Sequence, residues 1–100
     1  MPNDIFAHTR QVTQPYISTL IQSILPQGKR VGSEWMALNP TRHDRKAGSF
    51  KINLHTGRWS DFATGDSGGD LISLASYLYA MTPVDAAKYV CQIAGVANDY

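Results

Sequence analysis

Apolar and polar positions alternate along this chain with two periods, one helical and one extended. Residues 10–25 place Val12, Tyr16, Ile17, Leu20, Ile21 and Ile24 at helical spacing, giving one apolar stripe. Pro15 is tolerated only in a first turn, so the spacing predicts a helix starting near Gln14 with Thr13 as a candidate cap. Leu25-Pro26-Gln27-Gly28 is a stop signal. Ser33–Leu38 is a short strand with Trp35 and Ala37 on one face, and Asn39–Gly48 is a polar loop. From Ser49 to Leu54 the alternation is clear: Phe50, Ile52 and Leu54 point one way, Ser49, Lys51 and Asn53 the other. His55-Thr56-Gly57 fits a hairpin loop, and Arg58–Phe62 returns as the next strand.

Beyond the glycine-rich loop Ala63–Gly69, the helical period resumes twice. Leu71, Leu74, Ala75, Leu78 and Tyr79 share one face of a helix that Asp70 or Ser67 can cap. Thr82 caps a second helix with Pro83 in its first turn and Val84, Ala87, Val90, Cys91 and Ala94 on its stripe; Gly95 closes it. Residues 96–100 read as a tail, frayed over Ala97–Tyr100. The pattern predicts an α+β fold in one domain spanning 1–100. It has an N-terminal helix over 10–25, a small antiparallel sheet of three or four strands, and two C-terminal helices.

A chain of 100 residues buries roughly 60–70% of its extended surface, so each large apolar residue counts. No apolar run approaches the ~18 residues of a membrane span, and MPNDIFAHTR carries no signal pattern. The expectation is a cytoplasmic protein without membrane contact. The single cysteine, Cys91, excludes an internal disulfide and a cysteine-built zinc site; in its helical stripe it reads as a small buried apolar residue.

A net charge of +1 conceals an asymmetry. Between Gly28 and Arg58, seven cationic residues face two acidic ones, a net +5; from Trp59 to Tyr100, one lysine faces five aspartates, a net −4. The basic middle is either a solvated surface or a phosphate-meeting face. Arg42, Arg45 and Lys46 lie in the polar loop, with Lys51 and Arg58 on the strands that follow. A small sheet can gather them on one face, with Trp59 or Trp35 beside them either stacking a base or filling the core. No catalytic constellation stands out: His8, His43 and His55 are scattered, His8 in an expected mobile start, and the aspartates suit caps and turns. GDSGGD lacks the lysine of a phosphate-binding loop and reads as the turn before a helix. Neither an enzyme nor a cofactor is expected.

The order of these pieces resembles the zinc-ribbon domain at the amino terminus of bacterial DNA primases. Asn39-Pro40-Thr41-Arg42-His43 stands where that family has Cys-Pro-x-His, and Ser49-Phe50 where it has a Ser-Phe strand start. Trp59 matches the aromatic before its second ligand pair, and Asp61-Phe62-Ala63-Thr64 replaces Cys-x-x-Cys. Gly65–Asp70 matches its glycine-rich turn, and Pro83-Val84-Asp85-Ala86-Ala87 the start of its last helix. The match spans residues 33–95. It resembles more closely the ligand-lacking segments of primase–helicase-like proteins of phages, plasmids and integrated elements. The former ligand positions, Asn39, His43 (or Arg42), Asp61 and Thr64, cannot make a closed zinc site. A structural zinc contributes ~10 kcal/mol or more of folding free energy. Hydrogen bonds among Asn39, Asp61 and Thr64, with Arg42 or His43 as charged partner, are expected in its place.

The resemblance implies a module that binds single-stranded DNA weakly in mobile-element replication, through Arg42, Arg45, Lys46, Lys51, Arg58 and Trp59. The alternative is a protein-interaction module docking onto a primase or helicase through the apolar helix or a sheet edge, without touching DNA.

Overall fold

A computed structural model describes residues 4–96. The expected tail over Ala97–Tyr100 lies outside them. The chain begins as helix α1 (Ile5–Thr13), passes through a 3-10 turn (Gln14–Tyr16) and continues as α2 (Ile17–Ile24). Strands β1 (Lys29–Val31), β2 (Glu34–Ala37), β3 (Phe50–Asn53), β4 (Trp59–Asp61) and β5 (Asp66–Gly68) follow, then α3 (Leu71–Tyr79) and α4 (Pro83–Ala94). The α+β class expected from the pattern is the one observed. The sheet is a meander in the order β1-β2-β3-β4-β5, with every neighbouring pair antiparallel.

The helical start differs from the sequence expectation. Asp4 accepts from the backbone N–H groups of Phe6 and Ala7, so the helix begins eight or nine residues before the predicted start, and His8 sits within α1. Pro15 interrupts the helix, because its ring nitrogen donates nothing and its ring crowds the carbonyl four residues back; the 3-10 turn absorbs the break. Thr13 is no cap: it is buried, and its hydroxyl donates to the carbonyl of Thr9 at 2.7 Å.

Two of the five strands, β1 and β5, are not located by the pattern. All three residues of β1 are exposed, and it joins β2 through Gly32-Ser33, with Gly32 at φ 61°. β5 takes Asp66-Ser67-Gly68 out of the glycine-rich loop, returning through Gly65 at φ 82°. Both are three residues long and lack apolar alternation, so nothing in their composition marks them as extended.

The sheet has a dry face and a wet one. Trp35, Ala37, Phe50, Ile52 and Trp59 point inward against Ile17, Leu20 and Ile21 of the first helical segments and Leu74, Ala75, Ala86 and Val90 of the last two. Trp35 donates from its indole to the carbonyl of Leu25 at 2.9 Å, which ties the end of α2 to the sheet. Both tryptophans are core residues, at 8% and 4% exposure. Cys91 is buried in α4.

Helix α3 ends on Ala80 in the left-handed region, φ 52° and ψ 42°, where glycine carries no Cβ penalty. Ala80→Gly is therefore expected to stabilise the fold by ~0.5–1 kcal/mol, read as a raised urea midpoint at unchanged slope.

Candidate nucleic-acid interface and the metal-free knuckle

The loop after β2 and the end of β4 meet at a buried carboxylate. Asp61 is fully buried. Its Oδ2 accepts from Arg42 Nε at 2.9 Å and Asn39 Nδ2 at 2.8 Å; its Oδ1 accepts from the Ala63 N–H at 2.9 Å and Arg42 Nη2 at 3.2 Å. Four donors fill the roughly four lone-pair positions of a carboxylate. Arg42 also donates to Ser49 Oγ at 2.9 Å and lies 3.4 Å from Asp44, whose carboxylate accepts from the Asn39 N–H. Asn39 donates in turn to Tyr77 Oη at 2.9 Å, and Tyr77 donates to Asp66 Oδ2 at 2.8 Å. One hydrogen-bonded chain thus runs from the β2–β3 loop through β4 to α3 and β5.

Three of the four positions expected to replace the metal are joined here: Asn39, Asp61 and, at the histidine position, Arg42. The position is Arg42 and not His43, which is exposed; the spacing of Cys-Pro-x-His falls on Arg42 without a shift. Thr64 does not bridge the loops. It is exposed; its hydroxyl donates to the Asp61 carbonyl at 3.5 Å and accepts from the Asp66 N–H, both within its own turn. The donor set does not fit zinc, since a guanidinium occupies the place of a ligand and would repel a dication.

The Arg42 bond, helped by the Asn39 and Ala63 donors, outweighs burial and holds the Asp61 carboxyl at about 2, below its ordinary 3.8. A carboxyl lowered on folding stabilises the native state above its unfolded pKa. That contribution is complete above about pH 4 and fades toward about pH 2.

The wet face of the sheet carries the candidate interface. Cross-strand register puts Lys29, Met36, Lys51, Ser60 and Ser67 in one outward row, and Val31, Glu34 and Asn53 in the next, where the Asn53 N–H bonds to the Arg58 carbonyl. No helix covers this face among the described residues. Phe62, one step past β4, projects from the same side at 73% exposure, with Lys51 Nζ 5.8 Å from its ring centre. A polar groove of ≈ 660 Å³ runs beside Lys51, Arg58 and Ser60, with Gly68 and Gly69 on its rim.

The predicted binding residues separate on this geometry. Lys51 and Arg58 share the open face, and Arg45 and Lys46 stand exposed on the β2–β3 loop. Arg42 is corrected: it is engaged with Asp61 as a structural partner. Trp59 is corrected too. It lies on the dry side, 4.5 Å from the Tyr77 ring and edge-on to Phe50, where no base can reach its face. Sequence reasoning missed Phe62, although the parity that turns Trp59 and Asp61 inward turns Phe62 outward.

No family model matches the chain, and no curated protein matches it. Among solved structures, the Aquifex aeolicus primase, described as zinc-binding and RNA polymerase domains, is similar at a TM-score of 0.76 and 24% identity. The likeness covers 99% of this chain and 23% of that one. It shows a shared fold, and the architecture is accordingly a primase-zinc-ribbon-like one.

Asp61→Ala, which strips the shared acceptor from Arg42, buried Asn39 and the Ala63 N–H, is expected to cost ~1–3 kcal/mol in urea unfolding. For the parent protein, stability is expected to fall between about pH 4 and about pH 2, and Asp61→Asn to flatten that stretch of the profile. EDTA is expected to leave the thermal midpoint unmoved.

Proposed function

We propose that the open face of the sheet binds single-stranded nucleic acid, single-stranded DNA in the setting the primase resemblance implies. The observation that carries this reading is Phe62: a ring held at 73% exposure beside a lysine, on a sheet face that no helix covers among the described residues. An exposed aromatic is a stacking platform for an unpaired base, worth ~1–3 kcal/mol per base. Among the described residues, Lys29, Lys51 and Arg58 on this face meet one carboxylate, Glu34, and suit the phosphates of a strand laid across it. Arg45 and Lys46 extend that basic track from the β2–β3 loop.

The module is a binder without turnover of its own. Its buried carboxylate, Asp61, is saturated with donors and has no lone pair left for proton transfer. The reading extends to a ligand-lacking relative of the primase domain, cytoplasmic, serving replication of a mobile element. Its support there is the motif order from Asn39 to Ala87 together with the shared fold.

Fluorescence anisotropy with a labelled oligothymidine across a salt series tests the proposal. Phe62→Ala, a surface change, is expected to weaken binding roughly fivefold to a hundredfold. Lys51→Ala and Arg58→Ala are each expected to reduce the salt slope by about 0.7. Absence of binding at low salt, or wild-type affinity in all three variants, overturns it.

A further inference from the structure

A second groove lies on the other side of the sheet, between β5 and the helices. Its volume is ≈ 530 Å³, and Trp59, Tyr77, Phe6, Ser73, Asp66 and Asp70 line it. Three observations mark it as unfinished. First, β5 ends the sheet, pairing only with β4 among the described residues, so its outer edge presents unpaired backbone groups. Second, Trp59 is 96% buried, given its 4% exposure, yet its indole Nε1–H has no acceptor among the described residues. That N–H and Ser73 Oγ converge beneath Gly68, where a Cβ would come within 2.4 and 2.0 Å of them. Third, the groove is acidic and aromatic together: Asp66 and Asp70 stand on its wall, and Tyr77 packs over Trp59 at 4.5 Å.

A strand added to the free edge of β5 would place alternate side chains on the inner side, above this groove. A lysine or arginine there meets the rim of the Tyr77 ring and two carboxylates, next to the unsatisfied indole. Phosphate is disfavoured by the same two carboxylates, and Arg10, at 3.4 Å from Asp70, is their one ion-pair partner among the described residues. We propose that the β5 edge and this groove dock an extended, lysine- or arginine-bearing peptide segment of a partner protein by strand addition. This groove lies across the sheet from Lys51, Arg58 and Phe62, with Ser67 and Trp59 bordering the grooves on both sides.

The test is titration of the 15N-labelled protein with a heptapeptide alternating threonine and lysine, its threonine–glutamate counterpart, and oligothymidine. The lysine peptide is expected to shift the Trp59 indole N–H and the amides of Ser67 and Gly68. The double variant Asp66→Asn, Asp70→Asn keeps a capping side chain at position 70 and is expected to weaken that peptide at least tenfold. Oligothymidine affinity is expected to be unreduced in the same variant, which separates failure of this docking site from failure of the nucleic-acid reading. An unmoved Trp59 indole at millimolar lysine peptide overturns the proposal. So does equal binding of the glutamate peptide, or an indole shift produced by oligothymidine in place of the peptide.

Discussion

The structure depends on one buried carboxylate held by four donors. Removing Asp61 from water costs several kcal/mol, and a buried ion pair recovers that only when geometry is good and the remaining lone pairs are satisfied. Arg42, Asn39 and the Ala63 N–H meet both conditions. The contact joins two loops far apart in sequence, and through Tyr77 it reaches α3 and β5.

Strand parity then decides what each residue can do. Every second side chain of β2, β3 and β4 enters the core, and the others stay partly exposed on the opposite face. Lys51, Arg58 and Phe62 share the open side because Phe50, Trp59 and Asp61 take the closed one. The charge asymmetry of the sequence acquires a geometry. Lys29, Lys51 and Arg58 of the middle segment lie on the wet face, while Asp66 and Asp70 flank the groove at the edge of the sheet.

Much of this was legible in the residues. The alternation from Ser49 to Leu54, the Thr82 cap and the Gly95 stop are strong local signals, and the structure places β3 and α4 there. The pairing of the two former ligand loops followed from the resemblance, because position was retained while the chemistry changed. Three things were hidden. β1 and β5 are held by their neighbours' ladders and carry no intrinsic strand signal. The early helix start hangs on Asp4, a single capping side chain. Trp59 looked like a stacking residue because composition cannot tell a buried aromatic from a displayed one; counting parity from the Asp61 position would have exposed Phe62 instead.

Thiolate–metal knuckles are vulnerable to oxidants, which convert their ligands to disulfides or sulfenates and release the ion. A guanidinium–carboxylate–amide knuckle has no sulfur to lose, and the chain's one thiol, Cys91, is sealed inside α4. Peroxide therefore has no purchase on the joint that closes this sheet.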